Sequence, residues 1–408
     1  MAEVDSLPDL SPWAPTPTRL PEDWMALADT LAQQARGLPH AYVMPDARYN
    51  AQNVGNKLRS WGLPWPVVMA AYLYGYNEEP IRYANLKGVD QVLNHITEAN
   101  FYARYIEEEN LPPLLTPPYR DLGALLIALV AYYQALQTLQ EQSNNRPYTG
   151  TKQVHIESVG RTLLNIAKRL GMWQFKREIE DLAEQLRSPR KFAEAQQVHT
   201  RILEQDAVSL EDTCQLLLSF YQQATNQPIL ITCTPCSIAG MKRRLQDAHT
   251  TVTSQKTQLT GFDLVTFDVT VPTVHECYAA FGVLSQLGHI QDRVTDQIAN
   301  PKPNGYSHIA LGLILKPQGP YTQDLKWPET YTPICQLQIA THLMQAIMWY
   351  GCLHPDCYQW YMQSISNQEV EPPLVEQLWA NKEGKVFFAI KDCIFIELIF
   401  CLNIIFQS

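Results

Sequence analysis

The sequence predicts two folded parts in a fixed order, an all-helical part followed by a mixed α/β part. From about Trp24 to Arg187, apolar residues recur at three- and four-residue spacing, as on the buried faces of helices. After about residue 227 the pattern changes to short runs of branched residues bounded by turn formers, which is typical of strands. At 408 residues the chain is long enough for two domains, and an apolar fraction of 46% supports ordinary cores.

The first part begins with an arm over residues 1–22, which hold five prolines and little periodicity and are expected to be flexible. Residues 23–190 are expected to form the helical domain, and residues 191–227 a linker helix. The apolar spacing predicts helices over Ala47–Trp61, Asp121–Gln140 and Ser158–Arg187, the last one broken at Gly171, and the linker helix over Lys191–Thr225.

Residues 228–360 are expected to form the mixed domain, and residues 361–408 a C-terminal segment. The pattern predicts strands over Pro228–Cys233, Asp263–Val271, Ile309–Leu315 and Ile334–Ile339, and helices over Val274–Leu287 and Thr341–Gly351. The apolar tail from Cys393 to Phe406 is shorter than the roughly 20 residues of a spanning helix and contains Glu397 and Asn403. We therefore expect buried strands there and no membrane anchor.

Charge and cysteine usage limit the possible partners. A net charge of -10 argues against non-specific nucleic-acid binding, which needs a basic surface. The nine cysteines have no framework spacing, and the N-terminus has no apolar leader, so we expect reduced thiols in a cytoplasmic protein. Cys233 and Cys236 have redox or zinc-motif spacing, but they lie on strand-like sequence and are interpreted as unrelated buried thiols.

The chemical signal lies in a loop, Pro301–Tyr306. Its two prolines fix φ, and Asn304-Gly305 permits positive φ at a tight turn. The loop presents one cation, Lys302, and one flat aromatic ring, Tyr306. That pair suits a phosphorylated purine.

This loop, Gly261–Asp268 before it and Ile166–Ala183 in the helical part together resemble the RelA/SpoT family, which makes and degrades guanosine tetra- and pentaphosphate in the stringent response. Ile166–Ala183 follows the family's L-A-x-R-L-G-[IM]-W-x-[LF]-K-x-E-[LI]-E-D-L-A almost position for position. The resemblance implies an HD-like, hydrolase-related helical domain and a nucleotidyltransferase-like synthetase domain. Gly384–Lys391 resembles the first strand of the family's TGS domain.

In the helical part, the resemblance implies a lost hydrolase metal site. The family's ligand positions fall on residues that cannot replace imidazoles and carboxylates: Asn50, Tyr74, Gly75 and Ala131. Glu78 is kept, and Glu79 stands where the family has Asp. Hydrolase activity is not expected.

In the mixed part, Asp263 matches the family's metal-binding Asp and would hold Mg²⁺ if synthetase chemistry persisted. The charges around it have changed. Gln336 replaces the catalytic Glu, and the family's cations fall on Asp268, Thr295 and Ala340. Phosphoryl transfer depends on cations at the phosphates and carboxylates at Mg²⁺, so these replacements oppose the reaction.

The nucleotide-loop positions match the family, together with one strand residue: Lys302, Asn304, Gly305, Tyr306 and Gln338. Lys242, Arg243 and Arg244 partly compensate for cations lost just before them. These residues imply a guanine nucleotide as ligand, either GDP, GTP or guanosine tetraphosphate.

The favoured hypothesis is a non-catalytic regulatory or interaction protein that binds a guanine nucleotide, a protein partner or an active homologue, without a required cofactor. One alternative is a weak synthetase that transfers pyrophosphate from ATP to GDP or GTP, with Asp263, Asp268 and Asp296 in a rearranged metal site. The other is a purely structural partner-binding protein.

Overall fold

The structure is a computed structural model that describes residues 18–34, 50–107, 121–143, 146–250, 259–291, 294–300, 307–315 and 334–353. The chain forms two compact units. Described residues 18–189 and 350–353 belong to the helical unit, and residues 190–349 belong to the sheet unit. The predicted arm, the Pro301–Tyr306 loop, the TGS-like segment and the apolar tail lie wholly or mostly outside the described residues.

The helical unit follows the predicted pattern. Its helices are α1 (Glu22–Gln34), α2 (Ala51–Ser60), α3 (Trp65–Leu73), α4 (Glu78–Tyr83), α5 (Val89–Glu107), α6 (Leu122–Gln142), α7 (Gly150–Arg169) and α8 (Trp173–Arg187). The break between α7 and α8 is confirmed at Gly171, whose φ of +70° is a conformation that glycine adopts without strain.

Helix α6 is the centre of the helical core. Most of its residues are buried, including Leu125, Leu129 and Leu136. It is also the one described helix long and apolar enough to cross a membrane, but 83% of its most apolar stretch is buried inside the protein. Its length and apolar composition therefore match its place in the core of a helical unit.

The part of Ile166–Ala183 that lies in α8 packs against two other helices. The Lys57 ammonium on α2 lies 5.6, 5.3 and 5.1 Å from the ring centres of Trp61, Tyr133 and Phe175. It also forms an ion pair with Glu178 at 2.7 Å, and the Tyr133 hydroxyl donates to the same carboxylate at 3.2 Å. Burial and this carboxylate raise the pKa of Tyr133. Two residues of the segment, Phe175 and Glu178, thus attach α8 to α2 and α6.

The sheet unit begins with α9 (Pro189–Thr225), the helix predicted as a linker. Its remaining elements are β1 (Leu230–Pro235), α10 (Ile238–Thr250), a helical turn α11 (Gly261–Leu264), β2 (Val265–Val271), α12 (Val274–Leu284), β3 (Gly288–Ile290), β4 (Thr295–Asp296), β5 (Ile309–Leu315), β6 (Ile334–Thr341) and α13 (His342–Tyr350). Short 3₁₀ turns follow α12 and α13.

The sheet is mixed, as predicted. Its strand order is β1-β2-β6-β5-β3, with β4 also paired to β5. Strands β2 and β6 are parallel, and the other pairs are antiparallel. A parallel pair needs a crossover, which here contains α12 and the strands between β2 and β6.

The two faces of the sheet differ in chemistry. Side chains alternate along each strand, and one face presents buried apolar residues such as Phe267, Leu337 and Leu311. The opposite face, called here the polar face, presents Thr232 and Thr234 of β1, Thr266, Asp268 and Thr270 of β2, and Gln336, Gln338 and Ala340 of β6.

Helix α13 covers one end of the polar face. The hydroxyl of Thr270 donates to the side-chain oxygen of Gln345 on α13, and both residues are buried. Ala340, beside Thr270 in the strand register, is also buried. The uncovered part of the polar face therefore lies toward Gln336 and Gln338.

Candidate functional site

Strand register brings together two positions that sequence reasoning treated separately. Asp268 of β2 lies opposite Gln338 of β6, which lies opposite Ala310 of β5. On the other side, Asp268 lies opposite Thr232 of β1. The row thus places a carboxylate beside an amide at the centre of the polar face.

Asp268 is the one charged residue of this row, and only 3% of its surface is exposed. Its Oδ2 accepts a hydrogen bond of 2.5 Å from the Thr234 hydroxyl. Buried carboxylates need such donors, because desolvation without a hydrogen bond is costly. This carboxylate, at a position where the resemblance implies a cation, is built into the packing of the sheet.

Gln336 and Gln338 point to the same face, two residues apart on β6. Gln336 is exposed and Gln338 is half-buried. The Gln336 amide lies beside Gly312 of β5, its Nε2 3.4 Å from where a Cβ on that glycine would stand. Both side chains are neutral, so they supply hydrogen bonds but no base.

Asp263 does not lie in a strand, which corrects the prediction of a strand over Asp263–Val271. It is the third residue of the helical turn α11, and β2 begins at Val265. Its Oδ2 accepts hydrogen bonds from the backbone N–H and the hydroxyl of Thr260, at 2.9 and 2.8 Å. This is a capping box, in which the side chain stabilises the start of its own helical turn.

Two further side chains fix this turn. The carboxylate of Asp206 on α9 accepts a hydrogen bond of 2.6 Å from the N–H of Gly261. The Arg244 guanidinium donates to the carbonyl oxygen of Asp263. Arg244 was expected, with Lys242 and Arg243, to compensate for lost cations, and here it contacts a backbone carbonyl. Sequence reasoning missed Asp206, although the Thr260–Asp263 spacing was a recognisable capping signal.

The ends of the Pro301–Tyr306 loop are described, although Lys302, Asn304, Gly305 and Tyr306 lie outside the described residues. The Gln297 N–H donates to the His308 carbonyl at 2.9 Å. Asp296 Oδ1 accepts from the N–H groups of Ile298 and Ala299 at 3.0 and 2.9 Å. These bonds close the loop's base between β4 and β5.

Tyr278 of α12 donates to the same carboxylate, 3.1 Å from Asp296 Oδ2. Burial, followed by the negative charge of Asp296, raises the pKa of Tyr278 to about 12. Asp296 is thus committed to backbone and hydroxyl donors. Among the described residues, no group of three or more His, Cys, Asp or Glu side chains is arranged to hold a metal ion. The expectation of a rearranged site built from Asp263, Asp268 and Asp296 is wrong, because each carboxylate serves a different local structure.

In the helical unit, the residues that the resemblance aligns with metal ligands of the family contribute to local structure. Asn50 caps α2, its side chain accepting from the Gln52 N–H at 2.9 Å. Tyr74 and Ala131 are buried in the core, and Gly75 has a φ of +90° in the turn after α3.

The two acidic residues near these positions are held at the start of α4. Glu78 forms an i,i+4 ion pair of 2.8 Å with Arg82. The Glu79 N–H donates to the capping Asn77 side chain at 3.1 Å. An exposed pair of this kind contributes little stability, so its main consequence is that the Glu78 carboxylate already has a cation beside it.

Comparison with known proteins finds no matching family model. The GTP pyrophosphokinase of Haemophilus influenzae is 23% identical over 261 residues, which are 63% of this chain and 33% of that protein. The bifunctional (p)ppGpp synthase/hydrolase SpoT of Escherichia coli K12 is 21% identical over 293 residues, which are 69% of this chain and 40% of that protein. The chain spans about a third of the length of these relatives.

A solved structure, the small alarmone synthetase 2 of Bacillus subtilis, has a TM-score of 0.27 and 16% identity, and the match covers 49% of this chain and 94% of that one. That similarity is too low to support an argument about fold. These two sequence relatives agree with the near-complete match of Ile166–Ala183 to the RelA/SpoT sequence pattern. The sequence relatives named GTP pyrophosphokinase and SpoT thus support the resemblance of this chain to the RelA/SpoT family.

Proposed function

We propose that this protein is a non-catalytic RelA/SpoT homologue whose sheet unit binds a guanine nucleotide and acts by binding. The observation that supports the proposal most directly is the buried Asp268 beside Gln338 in the centre of the polar face. The family has a cation at the position of Asp268, and pyrophosphoryl transfer requires cations at the phosphates.

The size of this effect favours the loss of catalysis. Two like charges about 5 Å apart repel by roughly 3 kcal/mol at an effective dielectric constant of about 20. Replacing attraction by repulsion doubles that difference, to roughly 6 kcal/mol, or about four orders of magnitude in rate or binding. Gln336, which stands where the family has the catalytic Glu, adds to this loss of rate. Its neutral amide cannot accept the proton of the attacking hydroxyl.

Retention of the loop residues supports nucleotide binding. Lys302, Asn304, Gly305 and Tyr306 match the family, and the base of their loop is closed by the Asp296 and Gln297 hydrogen bonds. The relatives are named for guanine-nucleotide chemistry. A base stacked on Tyr306 would require none of the cations that this chain lacks.

The test combines binding and turnover on the purified full chain. Thermal unfolding is measured with GDP, GTP, ATP and guanosine tetraphosphate, each with and without Mg²⁺. A ligand at a hundred times its Kd stabilises the folded state by about 2.7 kcal/mol, which is enough to see. We expect a shift with guanine nucleotides that is lost in Tyr306→Ala, and no transfer of pyrophosphate from ATP to GDP or GTP.

The remaining outcomes separate the alternatives. Pyrophosphate transfer by the wild type, abolished in Gln336→Ala, would establish a synthetase and overturn the proposal. No shift with any nucleotide would contradict nucleotide binding and favour the purely partner-binding alternative. In that case the next test is whether the protein forms a complex with an active homologue. The two purified proteins are mixed, and co-elution on size-exclusion chromatography is measured.

A further inference from the structure

One row of paired residues on the polar face crosses five strands of the sheet, from β1 to β4. It comprises Thr232, Asp268, Gln338, Ala310 and Thr295. Their side chains share the polar face, because residues paired directly across neighbouring strands point to the same side of a sheet. The single charge of this row is the carboxylate of Asp268, and the other four side chains are neutral.

The neighbouring row of the polar face also lacks a cation. Gln336 of β6 lies opposite Gly312 of β5. The N–H of Gln291, the residue after β3, donates to the Gly312 carbonyl at 2.9 Å, and the Gln291 Oε1 lies 3.6 Å from where a Cβ on Gly312 would stand. His289, paired with β5 at the far edge, is the one histidine. The described strand residues of this face thus carry one carboxylate and neither lysine nor arginine.

The register also joins three positions that lie far apart in the sequence. The resemblance implies cations at Asp268, Thr295 and Ala340. Asp268 and Thr295 belong to the same row, and Ala340 lies two residues after Gln338 on the same face of β6. The missing positive charge is therefore concentrated on one surface. A concentrated change of charge alters which ligands a surface attracts.

The charge of Asp268 acts on a ligand through space. Its carboxylate is 3% exposed and accepts a hydrogen bond from Thr234, so it is held below the surface. Neighbouring strands are about 4.8 Å apart, so a group over β5, two strands away, lies roughly 10 Å from Asp268. At that distance and an effective dielectric constant of about 20, one unit of negative charge on a ligand weakens binding by on the order of tenfold.

The groups of β6 that a ligand can reach are neutral amides. Gln336 is exposed and Gln338 is half-buried. Each amide both donates and accepts hydrogen bonds. A nucleoside presents donors and acceptors on its base and ribose, whereas a phosphate presents acceptors and brings negative charge. The polar face therefore matches the uncharged part of a nucleotide better than its phosphates.

We propose that the polar face selects, among guanine ligands, those that carry the fewest phosphates. Gln336 and Gln338 contact the nucleoside, and Asp268 sets the preference by repelling phosphate. This specificity rests on the proposed function, because it names the class of ligand that the same unit binds. A repulsive element of this kind separates similar ligands without any new attractive contact.

The experiment measures the Kd values of guanosine, GMP, GDP and GTP for the purified full chain by isothermal titration calorimetry. A chelator is present, because Mg²⁺ would neutralise phosphate charge. We expect guanosine to bind more tightly than GTP by about tenfold or more. High salt should narrow this ratio, because it screens the charges. Equal affinities, or an affinity that rises with the number of phosphates, would overturn the proposal.

Two variants test whether Asp268 sets the preference. Asp268→Asn removes the charge, keeps an acceptor oxygen for the Thr234 hydroxyl, and should bring the ratio of guanosine to GTP affinity close to one. The matched control, Glu211→Gln, removes an exposed carboxylate from α9 and should leave the ratio unchanged. An unchanged ratio in Asp268→Asn, or an equal fall in both variants, would contradict the role of Asp268.

A third variant tests the contact with the nucleoside. Gln338→Ala should weaken guanosine binding by roughly fivefold, as expected for the loss of one hydrogen bond. An unchanged Kd for guanosine would show that this amide does not contact the ligand, and would overturn that part of the proposal.

This proposal and the proposed function fail in different ways. Tight binding of GDP and GTP with weaker binding of guanosine would overturn the specificity and leave the proposed function in place. No binding of any guanine ligand would overturn both. If circular dichroism showed that Asp268→Asn does not fold, the phosphate series on the wild-type protein would still decide the preference.

Discussion

At the scale of the residue, Asp263 has a local structural role that its position in the family does not suggest. Its carboxylate oxygen accepts two hydrogen bonds from Thr260, and the turn that it caps is held by Asp206 and Arg244. A capping residue acts through hydrogen-bond acceptance, and a Mg²⁺ ligand acts through negative charge. Substitutions can separate these two roles.

We expect Asp263→Ala to lower the free energy of unfolding by about 1 kcal/mol, since it removes the cap acceptor. Asp263→Asn keeps an acceptor oxygen and should lose less than half as much. Urea unfolding of both variants, followed by circular dichroism, measures the difference. Equal stability of the two variants, with loss of a Mg²⁺-dependent thermal shift in both, would instead identify Asp263 as a metal ligand.

The negative charge of Asp268 is fixed in place by burial and by a hydrogen bond. A reversed charge on an exposed loop could be tolerated without consequence, but this carboxylate is buried and accepts from Thr234. Restoring the family's Glu at Gln336 alone should therefore not restore synthesis, because Asp268 still repels phosphate from the same face.

At the scale of the element, close approach of α2 and α3 depends on a glycine. A Cβ on Gly55 would lie 2.6–2.8 Å from three ring carbons of Tyr72. Real Cβ atoms essentially never come this close to another heavy atom. The Tyr72 hydroxyl also donates to Asn56 at 2.5 Å, so its ring is held at both ends. The ring cannot move away without breaking that bond.

Gly55→Ala should therefore lower the free energy of unfolding by about 1–2 kcal/mol, although alanine favours helix more than glycine does. The matched control is Gly160→Ala on α7, where a Cβ would meet only Ala183 at 3.4 Å. There we expect no loss, or a gain of up to about 1 kcal/mol. Equilibrium denaturation of both variants tests this, and equal effects would contradict the close-packing argument.

At the scale of the whole molecule, the chain leaves the helical unit and returns to it. After α13, residues 350–353 again belong to the helical unit. The Cys352 N–H donates to the Leu170 carbonyl at 2.9 Å, and Cys352 and Leu353 are part of the helical core. Two stretches far apart in sequence thus contribute to one core, so the helical unit is not complete at residue 189.

Leu353→Ala should lower the free energy of unfolding of the helical unit by about 2–5 kcal/mol, as other buried leucine truncations do. The control is Val154→Ala, a change at a residue of the same unit with 67% of its surface exposed, where we expect a change within about 0.5 kcal/mol. Denaturant unfolding followed by circular dichroism compares them. If Leu353→Ala behaved like Val154→Ala, residues 350–353 would not belong to the helical core.

Sequence by itself determined the order of helical and mixed parts, the break at Gly171, and strands such as Ile309–Leu315, which the structure has at the predicted bounds. These features follow from local conformational preference and from the period of apolar residues, both of which a single segment carries. The family was also accessible from sequence, because the match of Ile166–Ala183 is contiguous.

Tertiary structure alone decided which residues meet. The parallel pairing of β2 with β6 places Asp268 beside Gln338. The strand predicted at Asp263 was wrong because a side-chain cap and the distant Asp206 stabilise a helical turn there. The cap follows a local Thr260–Asp263 spacing, whereas the contact with Asp206 forms only after distant segments pack together, so no local pattern in the chain encodes that contact.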